Sequence, residues 1–130
     1  MKFLALIYND EHLYQDATQE DIAATFEAHG KFGQAAGEAG VFLGGEGLQP
    51  IATATTVRVR DDERMLTDGP YAETKEQLGG YYLLECKDLD DALNWAAQIP
   101  EARTGAIEVR PVMDYEAIQS APNGAEAAAS

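Results

Sequence analysis

The sequence predicts an α+β domain of the ferredoxin-like sandwich type, and three observations lead there. Apolar stretches of strand length recur along the chain and are interrupted twice by segments with helical spacing, giving the order β-α-β-β-(β)-β-α-β. That order holds two βαβ-like halves within 130 residues, about one domain's worth of chain. With 45% apolar residues the chain can build one sizeable core, which excludes wholesale disorder. No repeat or linker divides it, so a single domain is expected over residues 1–119.

The elements follow in order. Lys2–Tyr8 (KFLALIY) is apolar at almost every position, as in a strand buried on both faces. Asn9–Thr18 is polar and reads as a loop. Thr18 with Asp21 ahead of Ile22 is a helix N-cap signal, and the helix runs to about Ala39, where Gly40 is a natural C-cap. Ile22, Phe26, His29, Gly33 and Ala36 form its inner stripe. Gly30, Gly33 and Gly37 each cost up to about 1 kcal/mol against alanine, and close packing onto a sheet is the expected compensation. Val41–Leu48 begins as a strand and ends glycine-rich around Glu46. Thr53–Arg60 alternates, with Val57 and Val59 on one face, and Asp61-Asp62 turns it into Glu63–Thr67. After the break at Asp68-Gly69-Pro70 and the polar stretch Tyr71–Gln77, Leu78–Lys87 is a strand. Asp88 caps a helix over Leu89–Gln98, whose apolar side is Leu89, Ala92, Leu93 and Ala96, with Trp95 as a packing anchor. Pro100 ends that region, Gly105–Val112 is the last strand, and a short turn or helix follows at Asp114–Gln119. Residues 120–130 (SAPNGAEAAAS) hold no core-forming side chain and are expected to be a disordered tail.

A sheet with helices on one side leaves its other face open. Here Leu4, Leu6 and Tyr8 alternate with Phe3, Ala5 and Ile7, and Tyr81 and Leu83 alternate with Tyr82 and Leu84, so both faces are apolar. The expected cover is a second copy, hence a homodimer packed sheet to sheet. Nine basic against 23 acidic residues give a net charge of −14, which repels phosphate backbones and anionic lipid and argues against nucleic-acid and membrane partners. The lone Cys86 has no disulfide partner in the chain, and the apolar run at the N-terminus is too short for a signal or a membrane span. A cytoplasmic location is therefore expected. Neither a metal nor a cofactor site is expected: His12, His29 and Cys86 lack ligand spacing, and Gly44–Gly47 lacks the GxGxxG pattern.

Chemistry concentrates in Leu66–Tyr82 (LTDGPYAETKEQLGGYY). One reading is a pocket rim, with Asp68 and Glu73 as acid/base groups, Tyr71 beside them and Lys75 as an anion clamp. The other is a dimer-arm loop whose charges are solvated or pair with the other subunit. Tyr8 and Tyr81, in strands, are candidates to hydrogen-bond a ligand or to fill the dimer core. Glu46, held between Gly45 and Gly47, is either a desolvated general acid or base or a bulge residue facing water.

Asp68-Gly-Pro-Tyr-Ala-Glu-Thr-Lys-Glu76, followed by Gln77-Leu-Gly-Gly-Tyr-Tyr82, resembles the motif of the DGPF branch of the YciI-like (YCII-related) family, with Tyr71 where Phe is usual. Gly44–Pro50, Val57–Arg60 and Asp88–Ala92 match in the same order, and the resemblance spans residues 2–113. It implies a dimeric α/β barrel built from ferredoxin-like halves. It also implies a role for His29, which stands eleven residues before Gly40, as a family histidine does before the glycine that closes its first helix. That histidine is thought to pair with an aspartate, and some relatives eliminate halide from chlorinated lactones. The segment matching the family's Asp-Pro reads Ile99-Pro100 here, leaving Glu46 or Asp68 to substitute. His29 is otherwise a core or interface histidine satisfied by a backbone carbonyl.

Two functions fit. One is a small cofactor-independent enzyme of lyase or isomerase type, moving a proton on a small carbonyl or lactone substrate. Its acid/base set is His29, Glu46 and Asp68, with Tyr8, Tyr71, Glu73, Lys75 and Tyr81 binding substrate. The other is a non-catalytic module that binds or senses a small molecule.

Overall fold

A computed structural model describes residues 1–120. Strand β1 (Lys2–Asn9) leads through a 3₁₀ turn at Glu11–Tyr14 to helix α1 (Gln19–Glu38) and strand β2 (Phe42–Gly47). A hairpin of β3 (Thr55–Arg60) and β4 (Glu63–Asp68) precedes β5 (Gln77–Glu85). Helix α2 (Leu89–Ala96), a 3₁₀ turn at Pro100–Ala102, β6 (Ala106–Pro111) and the short helix α3 (Tyr115–Ser120) complete the order. Four strands form an antiparallel sheet in the order β2-β5-β1-β6, and β3 and β4 pair only with each other. The class is α+β, and the order is consistent with a ferredoxin-like sandwich into which a hairpin is inserted. The described residues form an open sheet and no closed barrel. Of the expected tail, Ser120 ends α3 and residues 121–130 lie outside the described residues.

Pairing sets the two faces. Phe3 opposite Leu84, Ala5 opposite Tyr82 and Ile7 opposite Gly80 lie under the helices. Together with Phe32 and Ala36 of α1, Val41, Ala92 and Ala96 of α2, and Ile99, they make the buried core. Trp95 packs against it, edge-on to Phe32 at 6.3 Å between ring centres. Leu4, Leu6 and Tyr8 of β1 and Tyr81 and Leu83 of β5 are half-buried on the opposite face. The continuous apolar run of β1 is thus covered on one side by this chain. In α2 the buried residues are Ala92 and Ala96, while Leu89 and Leu93 are close to half exposed, which narrows the apolar face expected there.

Helix α1 starts at a capping box, with Thr18 Oγ1 accepting from the Asp21 N–H and the Asp21 carboxylate accepting from the Thr18 N–H. It ends at Gly40, whose φ of +73° is left-handed, with the Val41 N–H donating to Ala36 and the Gly40 N–H to Gly37. Its interior glycines are a correction. A methyl group at Gly30, Gly33 or Gly37 meets nothing within 4 Å, so close packing onto the sheet is not what requires them. The hairpin turns through Asp61 and Asp62, both at positive φ, as a two-residue primed turn demands. Val57, Val59, Met65 and Leu66 remain more than half exposed along it.

Candidate functional site

Three side chains from three distant segments meet at one edge of the sandwich. His29 lies on the inner stripe of α1, one turn before the buried Phe32. Tyr82 stands on the helix side of β5, its ring 4.7 Å from that of Phe32. Gly45, opposite Tyr82 on β2, makes room for that ring, because a Cβ there would sit 2.6 Å from Tyr82 Cδ1 and 2.7 Å from the Tyr81 carbonyl. Glu101 belongs to the turn that Pro100 starts, anchored by the fully buried Ile99.

His29 bridges the other two. Its Nδ1 lies 2.7 Å from the Tyr82 hydroxyl and its Nε2 lies 2.7 Å from Glu101 Oε2. Glu101 Oε1 also faces Nε2 and has no other partner, in a residue that is 8% exposed. A carboxylate only accepts, so the imidazole carries its proton on Nε2 and donates it to Glu101. Burial, and then the charge of Glu101, push the Tyr82 hydroxyl above its ordinary value, so Tyr82 keeps its proton at neutral pH. When His29 is neutral, Tyr82 donates that proton to Nδ1. When His29 is protonated, Nδ1–H donates to the Tyr82 oxygen, and the phenolic O–H turns to whatever lies in front of it. Tyr82–His29–Glu101 is therefore a continuous hydrogen-bonded chain whose outer end is a phenol.

In front of it is a cleft of about 530 Å³, walled by α1, the end of β2 and the start of β5. Polar bonds fix its upper wall. Glu11 Oε1 accepts from the Ile51 N–H at 2.8 Å, the Glu11 N–H donates to Gln77 Oε1, and the buried Asn9 donates to Tyr14 and Thr104. Burial, followed by the charge of Glu101, raises the Tyr14 hydroxyl as well.

The residues singled out in the sequence divide between this cleft and elsewhere. His29, Glu46 and Tyr81 contribute to the wall. Glu46 pairs directly with Tyr81, however, so both project from the face opposite Tyr82, and the structure gives Glu46 no hydrogen bond to His29. Asp68 ends β4 opposite Thr55, exposed and outside the cleft, so it is not the carboxylate that orients His29. Tyr71 is 81% exposed with the Arg58 guanidinium 5.5 Å over its ring. Glu73 and Lys75 are exposed and do not line the cleft. Lys75 stands near Asp10, whose carboxyl is held low first by the His12 N–H and least by the Lys75 charge. Tyr8 is half-buried on the open face, next to Leu78 and Ala106.

Sequence reasoning missed Glu101. Its signal was present: an acid directly after Pro100, in the segment where an acid before the proline was sought. Among the described residues no three His, Cys, Asp or Glu side chains converge to hold a metal ion, and no helix is long and apolar enough to cross a membrane.

The family model of the YCII-related domain matches residues 1–116. An uncharacterized protein of Rhizobium meliloti (strain 1021) is 36% identical over 118 residues, which cover 89% of this chain and 95% of that relative. The chain belongs to the YCII-related family.

Proposed function

We propose that this YCII-related protein is a small acid–base enzyme of lyase or isomerase type that moves a proton on a small carbonyl or lactone substrate without a cofactor. The observation that carries the reading is the relay of Tyr82, His29 and Glu101 at a preformed cleft. Tyr82 takes a proton from substrate carbon as its own phenolic proton moves to the bare Nδ1 of His29. The reverse transfer from the resulting imidazolium through Tyr82 delivers a proton to substrate oxygen, while the Glu101 carboxylate holds Nε2–H throughout. The matching motif at 68–76 supports placing the chain in the DGPF branch. The test is solvent deuterium exchange at carbon alpha to a carbonyl, followed by proton NMR over a panel of ketones, keto acids and lactones. Wild type exchanges at least one member, and His29→Ala loses about 10²- to 10⁴-fold of that rate. Exchange equal to buffer for every member sinks the reading.

The alternative, a small-molecule binding module, draws on the same geometry, since both imidazole nitrogens are already satisfied within the chain. A ligand stabilising the fold without any exchange on the panel identifies it. For either function we infer a homodimer through the open face. The half-buried Leu4, Leu6, Tyr8, Tyr81 and Leu83 support it, as does a two-stranded hairpin that has little stability alone. Light scattering that returns the monomer mass at micromolar concentration contradicts it.

A further inference from the structure

We propose that the cleft selects ligands that carry no negative charge and lays their apolar part in a groove beside it, between the Glu11–Tyr14 turn and the first half of α1. This rests on the acid–base reading only in using the same cleft, since it concerns binding and not turnover. Among the described residues, three acidic residues, Glu11, Glu46 and Glu101, line the cleft, with the Glu46 side chain on the face opposite Tyr82, and no lysine or arginine lines it. Lys75, expected as an anion clamp, lies outside it. An anion entering this space would lose water and gain repulsion without a lysine or arginine to meet it, whereas a ketone oxygen meets the Tyr82 hydroxyl and an ammonium group meets the acidic wall.

The groove has a volume of about 230 Å³ and shares Tyr14, Thr25 and Phe26 with the cleft. Leu13, Ile22 and Phe26 supply its apolar surface, at 58%, 47% and 73% exposure. Ile22 and Phe26 are one helical turn apart on α1, so they form one ridge along the groove. Its one charged side chain, Asp21, already accepts the Thr18 N–H in the capping box. A ligand whose polar end reaches Tyr82 therefore has a continuous apolar path past Phe26.

The test is isothermal titration of the full chain with three series matched in length from four to eight carbons: alkyl methyl ketones, alkylamines and alkanoates. Burial of the tail predicts that Kd for ketones and amines falls about threefold to fourfold per added methylene. Alkanoates bind at least tenfold more weakly than ketones of equal length. Phe26→Ala, and independently Ile22→Ser, flatten the length dependence while the melting temperature stays near that of wild type. His29→Ala keeps it. An alkanoate binding as tightly as its ketone overturns the charge selection. A gradient that survives Phe26→Ala, or a groove closed by a second copy so that no series binds, overturns the subsite. If the gradient holds while no ketone exchanges deuterium, the acid–base reading fails and the selectivity stands.

Discussion

The relay and the 68–76 segment are built in opposite ways. His29 lies 53 residues from Tyr82 and 72 from Glu101, yet all three are within hydrogen-bonding reach, partly or fully buried, and tied to the core through Phe32 and Ile99. Asp68, Tyr71, Glu73 and Lys75 are neighbours in sequence, and the fold leaves them exposed beside a hairpin that pairs only with itself. A carboxylate in water keeps its ordinary chemistry, whereas one turned onto an imidazole in a low-dielectric corner fixes a tautomer. Density of charged residues along a chain therefore marks a surface, and convergence of a few from distant elements marks a site.

That contrast is most exposed to refutation in catalysis. His29→Gln, which keeps an amide near Glu101, should lose exchange activity about as far as His29→Ala, while Asp68→Asn leaves it unchanged; loss in Asp68→Asn alone would move the chemistry to the loop. Stability is the next handle, through two kinds of glycine. Gly45→Ala forces a methyl group into the Tyr82 ring and should cost about 1–3 kcal/mol in urea unfolding. Gly30→Ala meets open space within a helix and should add up to about 1 kcal/mol. A neutral Gly45→Ala would mean that Tyr82 is not held where the relay needs it.

The smallest effect lies at alkaline pH. Tyr82 ionises at a higher pH in the folded protein than in the unfolded chain, whose tyrosines titrate near 10. Its contribution is intact below about pH 10 and is lost as pH rises through the folded value, because the unfolded state releases its proton first. The urea midpoint should fall less steeply from pH 9 to 11 in Tyr82→Phe than in wild type, and Tyr14 keeps part of the slope in both.

Much of the fold was legible because its signals are local. Thr18 and Asp21 announce the start of α1 and Gly40 its end, and the Asp61-Asp62 turn marks the hairpin. The alternation of Val57 and Val59 marks a strand but carries no information about its partner, and among the described residues β3 pairs as a strand only with β4. His29 was singled out by the family resemblance, in which a histidine stands at the same distance before the glycine that closes the first helix. Its partner was not, because Glu101 acquires its role from the packing of Ile99 and the turn after Pro100, contacts that no spacing rule encodes. Glu46 shows the same limit, since a residue between two glycines reveals freedom of the backbone, and the pairing with Tyr81 decides which face it takes.

The relay can be read directly, without a substrate, by long-range proton–nitrogen NMR of the imidazole rings. The chain has two histidines, assigned by His12→Gln, and His12 is a built-in contrast because its Nδ1 faces Asp10 at 2.9 Å. In its neutral form His29 should show a protonated Nε2 and a bare, hydrogen-bonded Nδ1 whose shift changes in Tyr82→Phe. A neutral His29 protonated on Nδ1, or one whose Nδ1 is indifferent to the loss of the Tyr82 hydroxyl, would contradict the relay.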